Sequence, residues 1–387
     1  MDALDRFALA RELRSRGNTP ISIKEKNANS FDPTFFIMRI FRRVSVAEQI
    51  LMTKNLSGML RAGLSLSRAL SVLQKQTKNA TLGNILVSLS AGINSGETFS
   101  AGLAKFPNIF SALFVSMVKA GEESGNLSGA LSDIGLNLEK SNSLTKKIKG
   151  ALIYPGVILS AMIVIGVLMF AFVVPTLAST FKELGVTLPA STRFIITLGN
   201  FFSNNLTLTF VMLIVGGFGL FSFFRAKFIA KYIDFIILRL PVVGNLTREI
   251  NTARTTRTIS SLLLAGVSIT RAVEITEDVV QNVYYKRVLS EGKIAIERGA
   301  PFSEIFEAHL NLYPVMVSEM VQVGEETGKL SDMLLQVALF YEEEIENKTK
   351  NLSTIIEPVL MIIIGAAVGF FAISMISPLY SVLDSIQ

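Results

Sequence analysis

The chain has 387 residues, 50% of them hydrophobic and only 18% charged, with a mean hydropathy of +0.48. That balance excludes an ordinary soluble protein, and a single histidine with no cysteine excludes disulfides, thiolate metal sites and cysteine nucleophiles. The net charge of +6 collects beside apolar segments, so it reads as membrane topology and contact with anionic lipid, and excludes a nucleic-acid footprint.

The amino terminus, MDALDRFALARELRSRG, is charged throughout and lacks the apolar run of a signal peptide. TPISIKE, near residue 22, is the best strand candidate. FDPTFFIMRIFRRVS, residues 31–45, mixes Phe31, Phe35, Phe36, Ile40 and Phe41 with Arg39, Arg42 and Arg43. It reads equally as a basic amphipathic helix in the membrane interface and as a linker packed on the next region. A helical pattern follows. LSGMLRAGLSLSRALSVLQ has apolar residues at three- and four-residue spacing. The glycine of AGLSL is placed to end one helix and Ser65 to cap the next, and SALFVSMVKAGEES reads as a further helix.

Gly150 to Phe181 carries no charge. A helix needs about 20 apolar residues to span roughly 30 Å of hydrocarbon, so this block is long enough to cross a bilayer. The stretch 178–205 holds only Lys182 and Arg193 as basic residues, and a second apolar block runs from Leu206 to Phe224. ISSLLLAGVSITRAVEIT, with Ser268 as the candidate cap, and VMVSEMVQVGEET then repeat the earlier helical patterns. His309 stands alone in EAHLNLYP and reads as a surface or packing residue. YEEEIENKTK, residues 341–350, places Glu344–Lys348 and Glu346–Lys350 in favourable i, i+4 order and reads as a solvated stalk. A third uncharged block, Pro358 to Leu383, follows.

Sliding the chain by 203 residues aligns it with itself. Leu56 falls on Ile259, Ala62-Gly63 on Ala265-Gly266, Arg68-Ala69 on Arg271-Ala272, Phe99-Ser100 on Phe302-Ser303, Pro155 on Pro358 and Pro175 on Pro378. Each unit is a region of about 100 residues followed by one apolar block. The middle block has no partner in the repeat and returns the chain to its starting side, so the two copies face the same way. Lys146, Lys147 and Lys149 precede the first block, Arg225, Lys227 and Lys231 follow the second, and Lys348 and Lys350 precede the third. By the positive-inside bias those flanks are cytoplasmic and the carboxyl terminus is not. The expected fold class is therefore an all-α integral membrane protein with two homologous cytoplasmic helical-bundle domains in parallel repeat and three transmembrane helices. The expected partition is an N-terminal segment 1–44, a cytoplasmic domain 45–150, transmembrane helices at 151–177, 206–224 and 356–381, an extracytoplasmic loop 178–205, a second cytoplasmic domain 225–355 and a tail 382–387.

The repeat is clearest in GEESGNLSGAL, residues 121–131, and GEETGKLSDML, residues 324–334. Gly328-Lys329 resembles part of a phosphate loop. That loop needs four residues between its glycines and a hydroxyl after the lysine. Here three residues intervene, Leu330 holds the hydroxyl position, and the twin copy has Asn126 where the lysine should be. Glu122-Glu123 and Glu325-Glu326 are adjacent pairs whose side chains diverge by about 100° on a helix, and a hard cation needs more oxygen ligands. No catalytic, cofactor or metal residues are expected. The elements read as helix–turn–helix corners. Gly121 and Gly324 open the motif, Gly125 and Gly328 take the left-handed conformation, and Leu127 and Leu330 tuck into the core. The glutamates are expected in solvent, with the acidic tip a candidate contact for a basic partner. The apolar blocks contain no ionisable residue, which counts against the alternative class, a small transporter or channel.

The doubled GEE[ST]GxL element within Phe114–Leu127 and Val317–Leu330, the AGLSLSRAL and AGVSITRAV stretches, and Tyr154-Pro155-Gly156 with Glu357-Pro358 together resemble the type II secretion system F family. That family includes the PilC-like platform proteins of type IV pili. The resemblance covers about residues 5 to 385. It implies a multi-pass protein of the bacterial inner membrane, a homodimer or higher homo-oligomer, without catalysis of its own. Such a platform works between a cytoplasmic hexameric assembly ATPase and pilin or pseudopilin subunits, beside other inner-membrane assembly proteins. Members usually carry some tens of further residues ahead of the part resembling FALARELRSRGNTPISIKE, a stretch not present in this sequence.

Overall fold

The computed structural model describes residues 44–183, 188–205, 227–241 and 243–386, with scattered positions between 208 and 222. The strand candidate TPISIKE, almost all of FDPTFFIMRIFRRVS and much of the second apolar block lie outside the described residues. All described elements are helical.

The first lobe contains α1 (Val46–Arg61), α2 (Leu66–Gln76), α3 (Ala80–Asn94), α4 (Phe99–Ala104), α5 (Ala112–Glu123) and α6 (Leu127–Leu168). A π turn at Met169–Val173 joins α6 to α7 (Val174–Glu183), and α8 (Ala190–Asn204) follows. The second lobe contains α9 (Lys227–Arg239), α10 (Val243–Leu264), α11 (Ile269–Val279), α12 (Val283–Glu297), α13 (Phe302–Glu307), α14 (Val315–Thr327) and α15 (Leu330–Ile386). The starts of α2 to α6 fall 203 residues before those of α11 to α15, Leu66 matching Ile269 and Leu127 matching Leu330. The left-handed glycines repeat in the same register. Gly63, Gly96 and Gly125 recur as Gly266, Gly299 and Gly328.

Local chemistry sets these boundaries. Ser45 and Glu48 form a reciprocal capping box at the start of α1, with Ser45 N donating to Glu48 Oε2 at 2.7 Å and Glu48 N to Ser45 Oγ at 3.2 Å. Asn79 Oδ1 accepts from Thr81 N at the start of α3, and Asn282 Oδ1 from Tyr284 N at the start of α12, each at 3.0 Å. Ser65 and Ser268 stand at the expected N-cap positions, but neither side chain makes a capping bond. Their carbonyls accept from Ala69 N and Ala272 N instead.

One apolar core runs through both lobes. Leu56, Leu70, Leu86, Phe99, Phe114 and Met117 fill the first half. Ile259, Val273, Leu289, Phe302, Tyr313 and Val317 fill the second. The second half is more aromatic. Tyr285 and Tyr313 meet edge to face at 4.9 Å between centroids, and Phe306 packs on Tyr313 at the same distance.

Each lobe ends in a helix that leaves it. The stretch Leu127–Glu183 and α15 are each 57 residues long, about 85 Å at 1.5 Å per residue. Their apolar windows are only 11% and 17% buried within the protein. A core helix of a soluble fold would be covered on most sides, so these two helices are built to meet lipid. The π turn precedes Pro175, which has no N–H to give the carbonyl of Ala171, and the wider turn accommodates that break. The expected loop 178–205 contains a helix of its own. In α8, Ile195 packs with Val174, Phe181 and Met375, and Thr192 Oγ1 donates to Ser374 O at 2.5 Å. α8 thereby ties together the far ends of both long helices.

Candidate functional site: paired glutamate corners and the seam between the lobes

At the corner between α5 and α6, Gly121 lies where the two helices cross most closely. A Cβ built there would stand 2.4 Å from Ala130 Cβ and 3.3 Å from Leu127 Cα. At the matching corner between α14 and α15, a Cβ on Gly324 would stand 2.8 Å from Leu330 Cα. Only glycine permits these approaches. Gly125 and Gly328 turn the chain with φ of 71° and 67°, as their left-handed assignment requires. Leu127 and Leu330 begin the next helix and pack on the core from its edge, also as expected.

The glutamates depart from expectation. Glu122 is half-buried, and Glu325, although exposed as expected, is engaged in the same way. Glu122 accepts from Phe99 N at 2.5 Å and from Ser100 N at 2.9 Å. Glu325 accepts from Phe302 N at 2.7 Å and Ser303 N at 3.0 Å. Each carboxylate therefore clamps the first amides of the short helix α4 or α13, which have no acceptor within their own helix. The following residue behaves differently. Glu123 is exposed, with Lys119 Nζ 3.7 Å away on the same helix, and Glu326 is exposed beside Gln322 Nε2 at 3.1 Å. Of each pair, one carboxylate is structural and the other faces water. Adjacent side chains diverge on a helix, and this divergence sorts the roles.

The phosphate-loop resemblance fails in three dimensions as well. Gly324 belongs to helix α14, so no strand precedes Gly328-Lys329. In the first copy Asn126 is a helix cap whose Oδ1 accepts from Gly129 N at 3.1 Å. Among the described residues no group of three or more His, Asp or Glu is placed to hold a metal ion. His309 Nδ1 lies 2.9 Å from Ile305 O, in keeping with a packing role.

The seam between the lobes was not visible in the motif. Asn137 Nδ2 on α6 donates to Ser261 Oγ on α10 at 2.8 Å. Lys147 on α6 pairs with Glu346 on α15. The stretch 341–350 is therefore more than a solvated stalk. Its expected Glu344–Lys348 and Glu346–Lys350 pairs form at 3.5 and 3.2 Å. The same face also reaches Glu249 of α10 through Lys348 and Arg257 of α10 through Glu342. Arg257 Nη2 lies 2.8 Å from Glu342 Oε2. The repeat carries the counterpart of that pair, Lys54 Nζ on Glu139 Oε2 at 2.7 Å. The two differ in surroundings. Lys54 and Glu139 are 46% and 49% exposed, whereas Arg257 and Glu342 are 14% and 18% exposed because they line the seam. A cleft of about 440 Å³ opens there, with Asn137 and Ser141 on one side and Arg254, Arg257 and Asp278 on the other. Burial in it holds the Arg254 guanidinium below its ordinary value. The repeat alignment contained the signal for the Arg257–Glu342 pair alone: a basic residue and a glutamate recur at matched positions in both copies.

The fold is thus that of a helical membrane protein built from two copies of one lobe, each continuous with a lipid-facing helix. The chain belongs to the family of the type II secretion system (T2SS) protein F, whose model matches residues 52–175 and again 255–378. It is 34% identical over 388 residues to a type IV pilus assembly protein PilC of Thermus thermophilus, covering 100% of this chain and 95% of that protein. It is 27% identical over 374 residues to the type IV pilus assembly protein PilC of Pseudomonas aeruginosa, covering 95% and 96%. It is 29% identical over 369 residues to a type II secretion system protein F of Aeromonas hydrophila, covering 95% of each. Family and apolar helices together make it an inner-membrane protein of the type IV pilus and type II secretion class.

Proposed function

We propose that the chain is the inner-membrane platform of a type IV pilus or type II secretion machine and couples a cytoplasmic hexameric assembly ATPase to polymerisation of pilin or pseudopilin, without catalysing a reaction itself. The names of its relatives support the class of machine. The observation that carries the coupling is the pair of 57-residue helices. Each begins at a glutamate corner and runs without a loop into its lipid-facing window, so a displacement at the lobe reaches the bilayer through one rigid element. In this reading 45–150 and 225–355 are cytoplasmic, 151–177, 206–224 and 356–381 cross the membrane, and 178–205 and 382–387 lie outside. The exposed Glu123 and Glu326 offer matched contacts to a basic partner, and the platform works as a dimer or higher oligomer beside other inner-membrane assembly proteins.

A clean deletion in a strain with no paralogue tests this. Fibre or secretion output is lost and returns with the intact gene. Output stays absent when three glycines are inserted after Lys149, although the variant still enters the membrane. The purified protein hydrolyses no ATP, and Lys329→Ala changes nothing. Normal fibres in the deletion strain would overturn the platform role, and normal output from the glycine insertion would overturn the lever.

A further inference from the structure

Helix α9 displays an apolar stripe that no part of the described protein covers. Its inner side is fixed. Leu238 is buried, Asp234 Oδ2 accepts from Val283 N at 2.9 Å, and Arg248 Nη2 donates to Leu238 O at 3.2 Å. Its outer side presents Tyr232 at 65% exposure and Ile236 at 57%, and Leu240 and Val243 continue the stripe beyond its end. Lys231 and Arg239 flank that stripe and are exposed, with Arg239 lying 4.1 Å above the Phe235 ring. The one acidic residue of the helix is Asp234, already engaged on the inner side.

The position of α9 follows from its neighbours. Its first residue, Lys227, comes three residues after the apolar block ends at Phe224. Its far end turns into α10, which runs antiparallel to α15, since Glu249 meets Lys348 and Ser260 meets Ser331. Val243 lies about 9 Å above Glu249, and Ile356, where the apolar window of α15 opens, lies about 12 Å above Lys348. Both ends of α9 are therefore at the level where the chain enters the bilayer. A 13-residue helix pointing away from the membrane would carry its far end about 20 Å lower.

We propose that α9 lies in the plane of the cytoplasmic membrane surface. Tyr232, Ile236, Leu240 and Val243 sit among the upper acyl chains, and Lys231 and Arg239 sit against anionic headgroups. The geometry has the marks of an interfacial helix: an apolar face, flanking cations and a rigid attachment behind. The occupant of the stripe is an anionic lipid surface, given the charge at its edges and its continuity with the membrane entry. The second lobe is thereby held at a fixed tilt under the bilayer. This inference rests on the reading that 206–224 crosses the membrane.

The chain has no cysteine, so single labels can be placed in the full-length protein. Nitroxide labels on Tyr232→Cys and Ile236→Cys are compared with Val211→Cys in the second apolar block and Val323→Cys on α14. The protein is reconstituted in phosphatidylethanolamine and phosphatidylglycerol vesicles. Relaxation by oxygen and by a water-soluble nickel chelate reads depth. Labels at 232 and 236 should give an oxygen-to-nickel ratio between those of 211 and 323. Lys231→Glu with Arg239→Glu should move it toward the value at 323, while Val283 N stays protected from hydrogen exchange. Labels at 232 and 236 matching 323, with 211 deep, overturn the proposal and leave the crossing intact. An aqueous 211 overturns both. Dipolar broadening at 232 that vanishes on dilution with unlabelled protein places a second copy on the stripe and also overturns it.

Discussion

Replacing Glu122 with alanine separates the clamp from the exposed acidic tip. The substitution removes the acceptor for Phe99 N and Ser100 N, which lie 2.5 and 2.9 Å from the carboxylate. Those amides open α4 and have no other helical partner. A hydrogen bond to a charged group contributes about 1.5–3 kcal/mol, and loss of a cap typically costs about 0.5–2 kcal/mol. Glu122 is only half-buried, so water replaces part of what is lost. The expected cost is therefore about 2 kcal/mol for the pair of bonds together. At about 1.4 kcal/mol per tenfold, hydrogen exchange in peptides covering Glu97–Ala104 should speed up on the order of 10- to 30-fold. Exchange in α3 should hold steady.

Glu123→Ala is the matched control. Its nearest cation is 3.7 Å away and both side chains are exposed, so its effect should stay within about 0.5 kcal/mol. The second lobe supplies an independent repeat, because Glu325 makes the same two bonds to Phe302 N and Ser303 N. Glu325→Ala should loosen α13 and leave α4 untouched, and the double variant should show both effects unaltered. Hydrogen exchange of the full chain in nanodiscs measures all of this. Equal changes for Glu122→Ala and Glu123→Ala, or none in the α4 peptide, would refute the division of labour within the motif.

Gly121→Ala should cost about 1–3 kcal/mol by overpacking against Ala130, and Ala130→Gly should restore much of it, read by the thermal unfolding midpoint. Gly125→Ala meets no neighbouring atom but holds φ at 71°, so its cost of about 1–2 kcal/mol should show no such rescue. Arg257→Ala should destabilise the lobes by about 2 kcal/mol or more, because it strands Glu342 in the seam. Lys54→Ala, at the exposed twin, should cost under about 1 kcal/mol; equal effects from the two would refute the burial argument. Hydrogen bonds from Lys147 and Lys350 hold the Glu346 carboxyl below its ordinary value of 4.5. A depressed folded value means that the stabilisation is in place above 4.5 and drains away as pH falls through the lower folded value. The distance between spin labels on α6 and α15 should thus hold from neutral pH down to that point and broaden below it.

Much of the architecture was legible because it was written twice. One register of 203 residues located the corners, both lipid-facing helices and the two left-handed glycines of the motif, since backbone geometry imposes the same demand on each copy. Tertiary partners were harder to see. The acceptor roles of Glu122 and Glu325 went unseen because nothing local marks them as partners for amides 22 and 23 residues earlier. Helix α10 was illegible for a different reason. Its TARTTRTISS stretch looks like a surface, yet Thr252, Thr255, Thr256, Thr258 and Ser260 are buried. Thr256 and Thr258 donate to carbonyls four residues back, and Ser260 to Ser331 O. The hydroxyls of Thr256 and Thr258 thus enter the core with a hydrogen bond already made inside their own helix, and no hydropathy pattern reveals that. The Lys147–Glu346 pair and the Asn137–Ser261 bond depend on how the two copies meet, which a single copy does not contain.

The differences between the copies bear on the mechanism more than the likeness does. Equivalent lobes could move independently if they touched only through chain connectivity. Here one core passes through both, and Lys147–Glu346 joins the two long helices just before they reach lipid. The pairs have also diverged in step with their surroundings. At the exposed position a lysine meets Glu139, while in the seam an arginine meets Glu342 through two nitrogens. A guanidinium holds a carboxylate in a fixed plane, whereas an ammonium allows it to swivel. The joint between α10 and α15 is therefore stiffer than its twin between α1 and α6. In the platform role proposed above, a force applied at either exposed corner would reach both lipid-facing helices together, because Lys147–Glu346 and the shared core join them.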